Sequence, residues 1–118
     1  MSENPFEHNL LTHKLCKIAD HDELPQGKTQ VAAVNGREVL LCHTAEGYFA
    51  VDNLCSHAAA RLCDGKLKGH RVLCPMHGGS FDVRDGVALS RPATAPIRTY
   101  QLLVNEQGIF VSLPDEAT

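Results

Sequence analysis

Two short segments, Cys55-Ser56-His57 and Cys74-Pro75-Met76-His77, each set a cysteine close to a histidine, with 16 residues between His57 and Cys74. Thiolate sulfur and neutral imidazole nitrogen are the donors that iron and zinc favour. Two of each, supplied by two loops, satisfy a 2Fe–2S cluster in which one iron takes histidines instead of cysteines. In that arrangement Cys55 and Cys74 bind one iron, and His57 and His77 bind the other. Tetrahedral zinc accepts the same donor set, although zinc fingers usually pair cysteine with cysteine and histidine with histidine at other spacings. Neutral imidazoles in place of two thiolates make a cluster easier to reduce, so the chemistry expected is one-electron transfer.

Ligands in loops need a rigid frame, and the text around the knuckles reads as short strands broken by turn residues, the pattern of an all-β domain. Leu15 to Ala19 is a candidate first strand. Thr29 to Val34 and Glu38 to His43 flank Asn35-Gly36, the pair a type I′ hairpin turn needs. Tyr48 to Val51 leads into the first knuckle, and Lys66 to Lys68 and Arg71 to Leu73 lead into the second. Phe81 to Val83 and Val87 to Leu89 flank Arg84-Asp85-Gly86, and Pro92 and Pro96 stiffen the loop after them. Ile97 to Val104 and Ile109 to Leu113 close the chain as a hairpin, and no amphipathic helix stands out. Gly78-Gly79, after the second histidine, leaves room for backbone N–H groups to approach a cluster. Ala58-Ala59-Ala60 and Met76 would form an apolar rim round it, with the Pro92 loop over a third side.

With 118 residues the chain fits one domain, expected over 13–118 behind a loosely held N-terminal arm over 1–12. Hydrophobic residues make up 43% and no apolar run reaches membrane-spanning length, so a membrane protein is not expected. A net charge of −3 gives no basic footprint for nucleic acid. The opening residues lack the features of a secretory signal, and five cysteines, an odd number, argue for a reducing cytoplasm over a disulfide framework. Cys16 and Cys42 read as core residues and Cys63 as a structural or semi-exposed thiol. His8, His13, His21, His43 and His70 lack partners at ligand spacing. Asp82 and Asp85 read as turn residues, and Lys66, Lys68, Arg71, Arg84 and Arg91 as a solvated face.

Cys-x-His followed by Cys-x-x-His resembles the Rieske signature, and the likeness runs well past the ligands. Leu62, Asp64-Gly65, Leu67 and Gly69 between the knuckles, His77-Gly78-Gly79-Ser80-Phe81-Asp82-Val83, Asp85-Gly86 and Pro92-Ala93-Thr94 follow the order of Rieske ferredoxins serving bacterial ring-hydroxylating oxygenases. The resemblance implies the Rieske fold: an antiparallel β-sandwich carrying a small cluster-binding subdomain made of two loops. It implies a carrier and not an enzyme: a cytoplasmic monomer holding one cluster, reduced by a flavoprotein NAD(P)H reductase and oxidised by a terminal oxygenase. The alternative within the resemblance is the small subunit of a nitrite reductase. Met76 stands where high-potential relatives have a second-loop cysteine, and Gly79 and Phe81 stand where they have hydroxyls. That implies a low potential, near about −150 mV.

Overall fold

The computed structural model describes residues 13–56, 60–76, 78–91, 93 and 95–114, and side chains from 15 to 113 within them. The arm expected over 1–12 therefore lies outside the described residues, as do His57, His77, Ala58, Ala59, Pro92 and Thr94. Ten strands follow one another: β1 His13–Ala19, β2 Thr29–Val34, β3 Arg37–Thr44, β4 Gly47–Asp52, β5 Lys66–Lys68, β6 Arg71–Leu73, β7 Ser80–Asp82, β8 Ala88–Ser90, β9 Thr99–Asn105 and β10 Gly108–Pro114. The helical content among the described residues is one 3₁₀ turn, Leu62–Asp64.

All pairings are antiparallel and build two sheets, a six-stranded one in the order β1-β10-β9-β4-β3-β2 and a four-stranded one in the order β5-β6-β7-β8. The expected all-β architecture with a small ligand-bearing subdomain is what forms. Asn35 (φ 51°) and Gly36 (φ 77°) make the left-handed turn between β2 and β3, with Val34 opposite Arg37. The larger sheet curls round its own interior. Cys16 and Ile18 on one edge strand and Ala32 and Val34 on the other pack against the same cluster of Val39, Ala50, Tyr100, Val111 and Leu113.

Along β3, consecutive residues Val39, Leu40, Leu41 and Cys42 are all buried because both strand faces are covered. Leu40 and Cys42 point into a second core, which also holds Val51, Leu62, Val72, Phe81, Val83 and Ile97. Cys55 and Cys74 belong to that core. The candidate ligands are thus rooted in the largest apolar cluster, where lost packing costs most.

β9 starts two residues later than the sequence reading. Ile97 and Arg98 precede β9 because their backbones are engaged elsewhere: Ile97 N–H donates to the Gly86 carbonyl and the Arg98 carbonyl accepts from Asp52, both at 2.9 Å. Burial of Ile97 at 6% exposure explains why this loop residue reads as strand.

Candidate metal centre

The two knuckles share one backbone design. In the first, Cys55 N–H donates to the Ala60 carbonyl at 2.9 Å, and Leu54 bridges Arg61 just outside. In the second, Cys74 N–H donates to the Gly79 carbonyl at 2.7 Å, and Leu73 pairs with Ser80 just outside. Each cysteine is the last residue of an incoming arm that this hydrogen bond ties to the returning chain. The two hairpin tips meet at their cysteines. Neither cysteine is in a disulfide, each is 4% exposed, and Cys55 lies within hydrogen-bonding reach of Cys74.

Burial pushes the Cys74 thiol up, the Met76 N–H opposes this, and the hydrogen bond and charge of Cys55 add to the rise. Met76 N–H points at Cys74 Sγ from 3.5 Å, so one sulfur already has a backbone donor. Two buried, unbridged thiols side by side carry mutual repulsion once ionised, which a cation between them removes. The two thiols therefore fit a cationic iron centre; His57 and His77, two and three residues after them in sequence, lie outside the described residues.

The first knuckle is fastened from behind by Asn53, two residues before Cys55 and 1% exposed. Its backbone N–H donates to the Glu38 carbonyl at 3.0 Å and its carbonyl accepts from Leu62 at 2.6 Å. Its side-chain oxygen accepts from Cys63 N–H at 2.8 Å, while Nδ2 donates to Glu38 Oε1 at 3.0 Å and to Cys63 Sγ at 3.3 Å. Every polar group of Asn53 is satisfied, as burial demands. Arg61 grips the same Glu38 carboxylate through Nε and Nη2, both at 3.0 Å. The Asn53 amide, then Arg61, holds the Glu38 carboxyl below its usual range. Sequence reasoning missed Asn53 and Glu38, because an asparagine at a strand end reads as a turn residue and nothing in the text gives its partners 10 and 15 positions away.

Other expected features fall into place around this site. Ser56 Oγ donates to the Ala95 carbonyl at 2.6 Å and Ala93 is buried in the cysteine core, so the loop after β8 lies against the first knuckle. Met76 (46% exposed) and Leu54 (59%) flank the tips as apolar surface. Cys63 is half-buried and free, matching a structural thiol. Cys42 is fully buried, whereas Cys16 is only half-buried against the Val39, Tyr100 and Leu113 cluster. His43 Nδ1 meets the Leu24 carbonyl at 2.7 Å and its ring stacks on Tyr48 at 4.0 Å, a structural role. Asp85 caps its turn by accepting from Val87 N–H at 3.0 Å. Arg84 is a correction to the solvated face: it donates to buried Asp82 through Nη2 at 2.7 Å and Nε at 3.0 Å. That guanidinium holds the Asp82 carboxyl down at about 2.

Fold and site together define a class: small β-proteins in which paired hairpin tips hold a mixed cysteine–histidine iron–sulfur cluster. The Rieske [2Fe-2S] domain family model matches residues 14–101, and the chain belongs to that family. Its cofactor is a Rieske 2Fe–2S cluster. It is 39% identical over 103 residues to the ferredoxin component of the naphthalene 1,2-dioxygenase/salicylate 5-hydroxylase systems of a Ralstonia species, covering 87% of this chain and 99% of that one. Among solved structures it is similar to the ferredoxin of carbazole 1,9a-dioxygenase from Nocardioides aromaticivorans IC177, at TM-score 0.79 and 32% identity over 86% of this chain and 99% of that one. A ferredoxin in a complex of reduced oxygenase and oxidised ferredoxin of carbazole 1,9a-dioxygenase gives TM-score 0.78 at 26% identity, over 83% of this chain and 92% of that chain. A nitrite reductase small subunit at 18% identity and TM-score 0.70 shares the fold alone. The chain is thus an electron-transfer ferredoxin of the ring-hydroxylating dioxygenase type, not the catalytic component. No helix among the described residues is long and apolar enough to cross a membrane.

Proposed function

We propose that Cys55 and Cys74 hold one iron of the cluster and His57 and His77 the other, and that this chain carries single electrons from a flavoprotein NAD(P)H reductase to a terminal oxygenase. The observation that carries the ligand assignment is the pair of adjacent, buried, unbridged thiols on two matching hairpin tips. When bound, a cluster of this kind takes up and releases one electron. Cys55 and Cys74, sunk in the core beside Phe81 and Val72, keep water from the sulfur end. The tips carry the exposed apolar Leu54 and Met76, which supply a surface on which a partner excludes solvent from the route of transfer. The protein works as a cytoplasmic monomer whose single domain spans 13–118. The complex of oxygenase and ferredoxin known for a relative supports an oxygenase as acceptor.

Purified protein should contain about two irons and two acid-labile sulfides per chain, and dithionite should give the EPR signal of a mixed-ligand cluster. Cys55→Ser, Cys74→Ser, His57→Ala and His77→Ala should each lose it. An iron-free native protein, or a full cluster in any of the four variants, would refute the assignment. Reduction by a flavoprotein reductase and reoxidation by a terminal oxygenase, followed by visible absorbance, tests the partners. Equal rates with the cluster-free variants would exclude this role.

A further inference from the structure

The second knuckle is braced from outside by two hydroxyls that the ligand set does not use. Ser80 opens β7 and Ser90 ends β8, and the two are paired across the small sheet. Their oxygens are 2.7 Å apart, and Ser90 Oγ lies 3.1 Å from the Gly78 carbonyl oxygen. A hydroxyl has one proton to donate, and a carbonyl only accepts. Ser90 therefore donates to Gly78, which leaves Ser80 as the donor to Ser90. Ser80 is 1% exposed, so failure to make this bond would strand a buried hydroxyl. The direction of the relay, Ser80 to Ser90 to Gly78, is fixed by these constraints.

The next carbonyl, that of Gly79, accepts from Cys74 N–H at 2.7 Å. The Gly78–Gly79 and Gly79–Ser80 peptides are thus tied down, the first to edge strand β8 and the second to Cys74. Because a trans peptide is planar, fixing the Gly78 carbonyl also fixes the Gly79 N–H, which points the opposite way. Dipoles held in this manner beside a centre that changes charge contribute to its redox energy, and outer contacts orient inner ligands.

We propose that the Ser80–Ser90–Gly78 relay positions the Gly78–Gly79 backbone relative to Cys74 and so sets the redox and magnetic properties of the cluster. Ser90 acts through Gly78 and is a positioning residue, not a ligand. The inference rests on the cluster assignment made above, and the test separates the two.

In the iron-loaded protein, Ser90→Ala should shift the midpoint potential, alter the EPR g values of the reduced form and release iron several-fold faster. Ser90→Thr, which keeps the hydroxyl on a strand, should restore all three. Ser80→Ala should give a smaller shift in the same direction, since Ser90 retains its bond to Gly78. Wild-type potential and g values in Ser90→Ala would overturn the proposal. So would a Ser90→Thr protein that behaves like Ser90→Ala, or a larger shift from Ser80→Ala. Iron and sulfide analysis of the wild type comes first, and its failure would instead sink the cluster assignment.

Discussion

Replacing Asn53 by alanine should cut the fastening of the first knuckle while leaving both proposed cysteine ligands in place. The side chain makes three contacts: from Nδ2 to the Glu38 carboxylate and to Cys63 Sγ, and from Cys63 N–H to Oδ1. A hydrogen bond to a charged acceptor contributes about 1.5–3 kcal/mol, and an orphaned donor costs about 1–3 kcal/mol. These ranges do not simply add, because Glu38 keeps Arg61 and its side chain is 46% exposed. A net loss of about 3 kcal/mol is expected, a large part of the roughly 5–15 kcal/mol that holds a domain of this size together. Glu38→Gln is the control. It keeps an acceptor for the Asn53 amide and weakens an ion pair whose side chains are about half exposed, so its loss should be much the smaller. Urea titration of the iron-loaded protein, read by far-UV and visible circular dichroism, gives both values. Hydrogen exchange at Leu62 and Cys63 should rise in Asn53→Ala alone. A loss below about 0.5 kcal/mol, or one no larger than that of Glu38→Gln, would refute the reasoning.

Gly65→Ala should destabilise the protein and lower its iron content, because a Cβ there would clash with the Leu73 carbonyl oxygen, immediately before Cys74; an unchanged melting temperature and iron content would contradict the contact. Cys63→Ser should retain cluster and electron transfer, since a hydroxyl accepts from Asn53 Nδ2 as the thiol does at 3.3 Å; loss of the visible spectrum would assign Cys63 a larger role. Burial pushes the Cys42 thiol up to about 12, against about 8.5 in an unfolded chain. A raised value stabilises the fold fully below the unfolded pKa, and this contribution drains away with rising pH at about 1.4 kcal/mol per unit. Cys42→Val should therefore show a flatter stability curve between about pH 9 and 11 than wild type, and parallel curves would rule the mechanism out.

Membership of the Rieske family was legible because Cys-x-His and Cys-x-x-His at this spacing seldom come together except to bind metal. Asn35-Gly36 was legible for a similar reason, since its turn needs two positive φ values and few residue pairs supply them. What escaped the sequence reading depends on distance along the chain. Leu62–Asp64 is too short for any helical period to show. Ile97 is apolar and buried yet lies outside a strand, because its N–H answers Gly86 and not a sheet partner. Arg84 looks like a surface charge because the burial of its partner Asp82, two residues earlier, does not show in the sequence. Asn53, Glu38 and Ser90 become functional candidates only when pairing of β3, β7 and β8 brings their partners within hydrogen-bond range.

The closeness of Cys55 and Cys74 bears on how the protein matures. Two thiols poised for contact in a metal-free chain are also poised to be oxidised by dioxygen to a cystine, which would bar the entrance to iron and sulfide. Assembly and oxidation therefore compete for the same pair of atoms. Material aged in air before iron loading should refuse the cluster until a thiol reagent reopens the pair.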